Sequence, residues 1–264
     1  MPTSATAVRS SSRLHEEAAA RRYLRLLRRC LVRDLFHDLR YEGDVTSPLP
    51  YSAELRFDGR DWPSDAETMV GCVRLEHLEE CCSTIVREGI PGDFVETGIW
   101  RGGCGILMRA VLEAYGETQR SIWLFDSYEG LPKPDPAAFP LDTGDSHWTL
   151  APYFGVRLEQ VQLNFAKYEL LDSRTKFIKG WFRDTMPAVE VRDISLLRLD
   201  GDMYESTWIV LTHLYPRLSP GAFVIVDDYG ALPNCKAAID EFRAKYAIDA
   251  PITKIDWTGV YWRK

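Results

Sequence analysis

A glycine-rich turn is the first part of the sequence whose residue spacing points to chemistry. A short apolar run, DFVET, leads through Glu96 and Thr97 into the segment GIWRGGCG (98–105), after which an amphipathic helical pattern begins. Open α/β sheets bind ligands at the carboxyl ends of their strands, where glycines let backbone N–H groups approach a ligand. The spacing is G-x-x-x-G-G-x-G, not the G-x-G-x-x-G of dinucleotide enzymes, and tight strand-to-helix packing is the alternative explanation.

An acidic residue, Asp126, lies near the end of the next β-type run, SIWLFDS. A carboxylate in this position can accept hydrogen bonds from both ribose hydroxyls of a nucleoside. Glu96 lies inside the glycine-rich turn, where it would repel a pyrophosphate but attract the amine or sulfonium of an amino-acid ligand. The two carboxylates together therefore favour S-adenosylmethionine over a dinucleotide.

Four further carboxylates follow two later β-type runs. Asp200 and Asp202 follow SLLRL, and Asp227 and Asp228 follow AFVIV. A helix N-cap could explain one of these residues but not all four. Clustered carboxylates repel one another unless a cation lies between them, and an all-oxygen ligand set selects Mg²⁺, Mn²⁺ or Ca²⁺ over zinc. The sequence therefore predicts a site for a hard divalent cation.

The elements that must position these residues follow a repeating pattern of short β-type runs separated by helical ones. This alternation is typical of a mostly parallel sheet with crossover helices, and the last two runs are suited to an antiparallel edge. The sequence therefore predicts an α/β domain with a seven-stranded sheet formed by the runs DFVET, SIWLFDS, KFIKG, SLLRLDG, AFVIVDDY, ITKID and GVYWR.

The N-terminal third lies outside this repeat. Residues 1–12 are rich in Ser, Thr and Ala and predict a flexible tail, whereas 16–34 carries an amphipathic, arginine-rich helical pattern. The stretch 41–67 is rich in Pro, Gly and Asp, and long loops of this kind are usually lids or binding loops. A further helix is expected at 68–88.

A second lid candidate is the proline-rich stretch 129–156 between the second and third predicted strands. The expected organisation is thus an N-terminal unit of helices and a lid loop, 13–88, packed as one body with the catalytic domain, 89–264.

Composition and charge limit the possible partners. The chain has 264 residues and a net charge of −7, so its electrostatic field does not favour binding of nucleic acid. No apolar run approaches the roughly 20 residues of a membrane helix, and we expect a cytoplasmic protein. The six cysteines include no C-x-x-C pair and are expected to be reduced thiols. Adjacent Cys81 and Cys82 lie in a helical pattern and are expected to pack in the core.

Five motifs in this order resemble the macrocin O-methyltransferase family, the TylF/MycF-type sugar O-methyltransferases of antibiotic pathways: ETGIWRGG, FDSYEGLP, KGWFRDTMP, LRLDGDMYEST and VIVDDY. The resemblance extends from about residue 21 to the end of the chain. It implies a class I S-adenosylmethionine-dependent methyltransferase (Rossmann-like) fold and Mg²⁺ dependence. It also implies that the acceptor is a deoxysugar hydroxyl on a macrolide or aminocoumarin.

The resemblance also assigns cofactor contacts to residues of three motifs. The methionine end would lie at the glycine-rich turn, the ribose at the second strand and the adenine at the third. The residues so assigned are Glu96, Thr97, Gly98, Arg101, Gly102, Gly103, Asp126, Ser127, Gly180, Trp181 and Phe182. Trp181 and Phe182 could equally be core residues, although an aromatic ring beside a purine is physically reasonable.

Metal and catalytic roles fall on the acidic residues. The resemblance places the cation on Asp200, Asp227 and Asp228. For the general base we favour Asp202, with His147 of the DTGDSHW loop as the rival. A metal that chelates two neighbouring sugar oxygens would lower the pKa of the hydroxyl to be methylated.

Two other enzyme classes share part of this pattern. An NAD-dependent sugar oxidoreductase would use the glycine-rich turn and Asp126 but not the acidic pairs, and a metal-dependent hydrolase would use the acidic pairs but not the turn. The expected partner is a small glycosylated acceptor, and the resemblance favours a homo-oligomer.

Overall fold

The computed structural model describes the backbone of residues 4–264 and the side chains of residues 17–264. The described backbone contains nine α-helices, which are α1 Ser4–Leu31, α2 Ala53–Asp58, α3 Gly71–Glu88, α4 Gly103–Ala114, α5 Ala151–Phe154, α6 Leu158–Lys167, α7 Phe182–Thr185, α8 Tyr204–Leu214 and α9 Pro233–Lys245. The tail expected for residues 1–12 lies outside the part with described side chains, and residues 1–3 lie outside the described backbone.

Ten strands form two sheets in the described chain. The strands are β1 Arg40–Glu42, β2 Asp44–Leu49, β3 Trp62–Pro63, β4 Asp93–Thr97, β5 Ile122–Asp126, β6 Thr175–Lys179, β7 Ile194–Leu199, β8 Leu218–Val226, β9 Thr253–Lys254 and β10 Val260–Arg263. The large sheet has the order β6-β5-β4-β7-β8-β10-β9. Its first five strands are parallel, and β10 is antiparallel to both neighbours. The predicted seven-stranded sheet with an antiparallel edge is confirmed.

Alternating strand residues face two separate hydrophobic cores. Phe94 and Leu196 pack with α1, α3 and α4 on one face, while Val95 and Leu197 pack with α8 and α9 on the other. Successive side chains of a strand point to opposite faces, so strands that are buried on both sides read as continuous apolar runs. Helices α1 and α3 therefore belong to the same packed body as the sheet.

The stretch 41–67, expected to be a loop, contains secondary structure of its own. Strands β2, β1 and β3 form a small antiparallel sheet, and α2 lies between β2 and β3. Strand β2 contains a proline and β3 has two residues, so neither produces a strand-like pattern in the sequence. A buried ion pair between Arg56 and Asp61 holds this stretch together.

The stretch 129–156 consists mainly of turns, with short 3₁₀ helices and α5. Asp142 fixes it to the body of the protein, because its carboxylate accepts hydrogen bonds from the backbone N–H groups of Tyr204 and Glu205 at the start of α8, at 2.8 and 2.9 Å. Asp142 is fully buried and acts as an N-terminal cap supplied from a distant part of the chain.

The six cysteines are free, and Cys81 and Cys82 are buried in the core on α3. Within the described chain, none of the helices combines the length and apolarity that crossing a bilayer requires.

Candidate active site

A cavity of about 370 Å³ lies at the carboxyl ends of β4, β5, β7 and β8. It is lined by seven of the residues expected to bind the cofactor, namely Glu96, Gly98, Asp126, Ser127, Gly180, Trp181 and Phe182. The five expected metal or catalytic residues, Asp200, Asp202, Asp227, Asp228 and His147, line the same cavity. The edge of the sheet predicted to bind ligands therefore brings both groups together.

Four residues expected at the cofactor do not line the cavity, namely Thr97, Arg101, Gly102 and Gly103. The Thr97 hydroxyl donates to the Arg198 carbonyl at 3.4 Å. The Gly103 N–H donates to the Glu67 carbonyl at 2.8 Å, and a Cβ at Gly103 would lie 2.6 Å from that oxygen. Gly103 therefore allows the turn to pack closely against residue 67, which is the packing explanation considered for the turn.

Gly98 has a different role, because it lies where the β4 turn meets the acidic residues. Its φ of +80° is in the left-handed region, and a Cβ here would lie 1.6 Å from the carbonyl oxygen of Asp200. Only glycine can meet both conditions. Gly98 therefore brings the glycine-rich turn directly against the end of β7.

Asp126 organises the glycine-rich turn from β5. Its Oδ2 accepts hydrogen bonds from the backbone N–H groups of Ile99 and Trp100, at 2.6 and 3.3 Å. Its Oδ1 accepts from the Tyr128 N–H at 2.7 Å. Burial raises the pKa of Asp126, and these backbone hydrogen bonds partly offset the effect. The carboxylate expected to bind ribose thus also fixes the turn that faces the ligand.

Glu96 is buried on β4 and makes an ion pair with Arg198 on β7, with 2.7 Å between Oε1 and Nη1. Its second oxygen, Oε2, is buried without a hydrogen-bond partner. Burial raises the pKa of Glu96 to about 8, and the Arg198 guanidinium opposes that rise. An unpartnered buried acceptor in a residue that lines the cavity indicates a place for a ligand donor.

Asp200, Asp202 and Asp228 form the acidic group of the cavity, with one carboxylate oxygen of each within 4.8 Å of the others. Burial raises the pKa of all three, that of Asp200 to about 7, and repulsion from neighbouring carboxylates, Asp227 among them, adds to the effect. An all-carboxylate set has the donor chemistry of a hard divalent cation site.

Asp227 lies outside this group, in contrast to the set expected from the sequence. Its Oδ2 makes ion pairs with Arg74 on α3 and Arg198 on β7, at 2.5 and 2.7 Å. Both ion pairs use Oδ2, so Oδ1 is the oxygen of Asp227 that could bind a cation. The acidic group instead contains Asp202, which the sequence assigned as general base.

The two candidates for the base lie on different elements. Asp202 lies three residues after the end of β7 and has a φ of +59°, an uncommon conformation for a residue other than glycine. His147 lies in the 129–156 stretch, and its Nδ1 is 3.1 Å from an Asp145 oxygen. Burial raises the pKa of Asp202, and interaction with His147 opposes that rise.

The turn after β6 contributes two aromatic side chains to the cavity. Trp181 precedes α7 and Phe182 is its first residue. The Gly180 N–H donates to the Asp126 carbonyl at 2.9 Å, which joins this turn to the end of β5. Because both aromatic residues line the cavity, they are placed to contact a flat ligand there.

Sequence reasoning missed two buried arginines, Arg74 and Arg198. Arg198 pairs with Glu96, Asp200 and Asp227, so it links the two groups of carboxylates. The one available signal was an arginine within the otherwise apolar strand ISLLRL. Charged residues are almost never fully buried unless they are paired, so that arginine indicated an acidic partner.

Several known proteins resemble this chain over most of its length. Residues 28–264 match the family described as macrocin-O-methyltransferase (TylF). An 8-demethyl-8-(2,3-dimethoxy-alpha-L-rhamnosyl)-tetracenomycin-C 4'-O-methyltransferase from Streptomyces olivaceus is 46% identical over 241 residues, which are 91% of this chain and 92% of that protein. The mycinamicin III 3''-O-methyltransferase of Micromonospora griseorubida is 41% identical over 244 residues, covering 92% and 96% of the two chains.

A solved structure, that of the O-methyltransferase NovP, superimposes with a TM-score of 0.89 at 41% identity, covering 93% of this chain and 99% of that one. This likeness confirms the class I methyltransferase fold expected from the motifs. The chain therefore belongs to the macrocin O-methyltransferase (TylF) family, and it is an O-methyltransferase.

Proposed function

We propose that this enzyme transfers the methyl group of S-adenosylmethionine to a deoxysugar hydroxyl of a glycosylated antibiotic precursor, with Mg²⁺ held by Asp200, Asp227 and Asp228. The acceptor class follows from the names of the relatives, which act on a rhamnosyl tetracenomycin, on demethyldecarbamoylnovobiocin and on mycinamicin III. The observation that carries the proposal is one cavity containing Glu96, Asp126 and the acidic group.

The cofactor proposal rests on how the chain prepares its ligand contacts. Glu96 Oε2 is the unpartnered acceptor for the amino group of the methionine portion, and Asp126 is the acceptor for ribose hydroxyls. A Cβ at Gly105 would lie 3.2 Å from Oε2, so glycine at this position avoids crowding that oxygen. When bound, S-adenosylmethionine supplies an electrophilic methyl group on a sulfonium.

The cation proposal rests on Asp200 and Asp228, with Asp227 able to add its Oδ1. Arg74 and Arg198 orient Asp227 by holding Oδ2. When bound, Mg²⁺ lowers the pKa of a coordinated acceptor hydroxyl. Asp200 and Asp228 each bring a carboxylate oxygen within 4.8 Å of the other, and carboxylate oxygens are donors that this ion prefers.

Asp202 is proposed as the general base. The backbone of Asp202 is in the left-handed conformation, and the Asp202 N–H donates to Asp228 Oδ2 at 3.4 Å. The Asp202 carboxylate would accept the proton of the sugar hydroxyl as that oxygen bonds to the methyl carbon and the carbon–sulfur bond breaks, which leaves S-adenosylhomocysteine. The protein also holds both reactants in near-attack geometry, which can lower a barrier by roughly 7–11 kcal/mol.

Isothermal titration with S-adenosylhomocysteine, with and without Mg²⁺, tests the cofactor proposal. We expect micromolar binding to the wild type and loss of binding in Asp126→Ala, while Asp135→Ala, an exposed loop residue, binds as the wild type does. Circular dichroism on each variant checks folding. Absence of binding to the folded wild type under both conditions would refute the proposal. Binding would justify mass spectrometry for methylated product with mycinamicin III and rhamnosyl tetracenomycin acceptors.

A further inference from the structure

The order of strands in the large sheet arranges the cavity in a row. The residues proposed to bind the cofactor lie in or after β6, β5 and β4, and the acidic group follows β7 and β8. The next strand is β10, whose Val260 pairs with Val226 at the end of β8, and Trp257 lies in the connection just before it. Because neighbouring strands are about 4.8 Å apart, Trp257 borders the acidic group on the side away from the cofactor.

Hydrogen bonds fix Trp257 at this position. Its indole Nε1 donates to the Asp58 carbonyl at the end of α2, at 2.9 Å. The hydroxyl of the next residue, Thr258, donates to the Asp227 carbonyl at 2.8 Å. Trp257 and Thr258 both line the cavity. The indole is therefore a fixed wall of the cavity beside the proposed cation site.

Arg60 lies on the Trp257 ring, with the centre of its guanidinium 4.3 Å from the ring centroid. The segment before Arg60 is held by Arg74, whose Nη2 donates to the Gly59 carbonyl at 3.2 Å. Arg74 also pairs with Asp227. One buried side chain thus links the Arg60 segment to the acidic residues and fixes their separation.

The charge of Arg60 has no partner in the described chain. Its side chain is exposed and lines the cavity, and none of the described carboxylates forms an ion pair with it. The other arginines of the cavity, Arg74, Arg183 and Arg198, all have carboxylate partners. A guanidinium stacked on an indole is held in one plane and presents its N–H groups as a rigid fork, which suits a carboxylate or another acidic oxygen group.

We propose that Arg60, held on Trp257, is a specificity-determining residue that binds an acidic oxygen substituent on the ring attached to the sugar being methylated. This inference rests on the proposed function, because the sugar hydroxyl at the cation fixes where the attached ring lies. One sugar unit spans about the distance between neighbouring strands, so a ring attached to a sugar at the acidic group reaches Trp257. Arg60 offsets the repulsion between the cavity carboxylates and an anionic acceptor. The enzyme therefore prefers acceptors that carry a carboxylate, phenolate or enolate beside the sugar.

Two model acceptors that differ in one group test the proposal, namely 4-carboxyphenyl α-L-rhamnoside and its neutral carboxamide, 4-carbamoylphenyl α-L-rhamnoside. Rhamnose is the sugar named for one relative. Ligand-observed NMR measures the Kd of each glycoside for the full chain saturated with S-adenosylhomocysteine and Mg²⁺ at neutral pH. We expect the wild type to bind the carboxylate about tenfold more tightly, the factor given by one charge-assisted hydrogen bond. Arg60→Met keeps an unbranched side chain on Trp257 but removes the charge, so it should bind the two glycosides equally.

The matched control is Arg192→Met. Arg192 is exposed and lies just before β7, at the opposite edge of the sheet, so its removal changes the net charge by the same amount. This control should keep the wild-type preference for the carboxylate. A general effect of net charge would instead change the preference equally in the two variants.

The two proposals fail in distinguishable ways. If titration detects no S-adenosylhomocysteine binding to the wild type, the proposed function fails. If S-adenosylhomocysteine binds but the wild type does not prefer the carboxylate, or binds neither glycoside, the assignment of Arg60 is overturned. A preference as large in Arg60→Met as in the wild type overturns it as well. Circular dichroism and the affinity for S-adenosylhomocysteine verify that each variant is folded.

Discussion

Glu96 and Arg198 are direct neighbours on the adjacent parallel strands β4 and β7, and their side chains form a fully buried ion pair. The guanidinium has two further partners, Asp200 and Asp227. One arginine therefore pairs with Glu96 at the end of β4 and with two carboxylates of the proposed cation site. This arrangement places both halves of the proposed reaction in one electrostatic network.

Arg198→Met should strongly destabilise the fold. The change leaves three carboxylates without their shared counter-ion, and breaking a buried pair from one side costs about 3–5 kcal/mol. Urea unfolding at neutral pH measures the effect. Arg263→Met, which breaks a half-exposed pair with Glu88, is the control and should cost no more than about 1 kcal/mol. Equal losses in the two variants would show that burial does not matter at Arg198.

The strand pattern was readable from the sequence because each central strand is buried on both faces. Glycine at 98 and acid at 126 were readable because strand ends in parallel sheets meet at one edge. The hydrogen bond between Trp100 and Tyr153 could not be predicted from the sequence, because it joins residues 53 positions apart through a stretch of turns. Pairing of Asp227 with Arg74 likewise depends on the packing of α3 against the sheet, which no local pattern reports.

The sequence predicted the shared site of the four acidic residues but not how they are grouped within it. Four carboxylates after two neighbouring strands predicted a shared site, and the cavity does contain all four. Their grouping depends on the left-handed backbone at Asp202 and on the ion pairs of Asp227 with Arg74 and Arg198. Neither the backbone conformation of a non-glycine residue nor the reach of a distant arginine can be inferred from spacing.

Stability should depend on pH through His77. Burial lowers its pKa to about 4 in the folded protein, against 6.5 for the unperturbed side chain. Between these two values the unfolded state binds more protons, so the free energy of unfolding falls as the pH falls from 6.5 to 4 and is at its full value above 6.5.

His77→Phe should remove this part of the pH dependence. Phenylalanine can keep the ring contact with Tyr261 but does not titrate. Between pH 7 and pH 4.5 the wild type should lose about 2–3 kcal/mol more stability than the variant. Urea unfolding at the two pH values measures the difference. The same loss in both proteins would mean that His77 is not buried as a neutral group.

Asp202→Asn should lower kcat by about 10²–10⁴, the usual contribution of a general base. Asparagine tolerates the left-handed conformation at this position, so the change tests the carboxylate rather than the backbone. The KM for S-adenosylmethionine should stay close to the wild-type value. Asp240→Asn, on the exposed side of α9, is the control. If His147→Gln loses more activity than Asp202→Asn, the histidine is the base.

Comparing Gly98→Ala with Gly116→Ala separates the cost of a clashing Cβ from the cost of a left-handed backbone conformation. Both glycines have positive φ, +80° and +67°, but a Cβ at Gly116 meets nothing within 4 Å. Gly116→Ala should therefore cost only the left-handed conformation, about 1–2 kcal/mol. Gly98→Ala adds a Cβ 1.6 Å from the Asp200 carbonyl, so β4 and β7 must move apart at their ends.

Urea unfolding should place the cost of Gly98→Ala above about 4 kcal/mol, or the variant should fail to fold while Gly116→Ala folds normally. Any folded Gly98→Ala protein should also bind Mn²⁺ more weakly than Gly116→Ala, because Asp200 is displaced. Titration with Mn²⁺ measures this second effect independently of stability. Equal costs and equal Mn²⁺ affinity in the two variants would contradict the close approach of the glycine-rich turn to Asp200, on which the shared cavity depends.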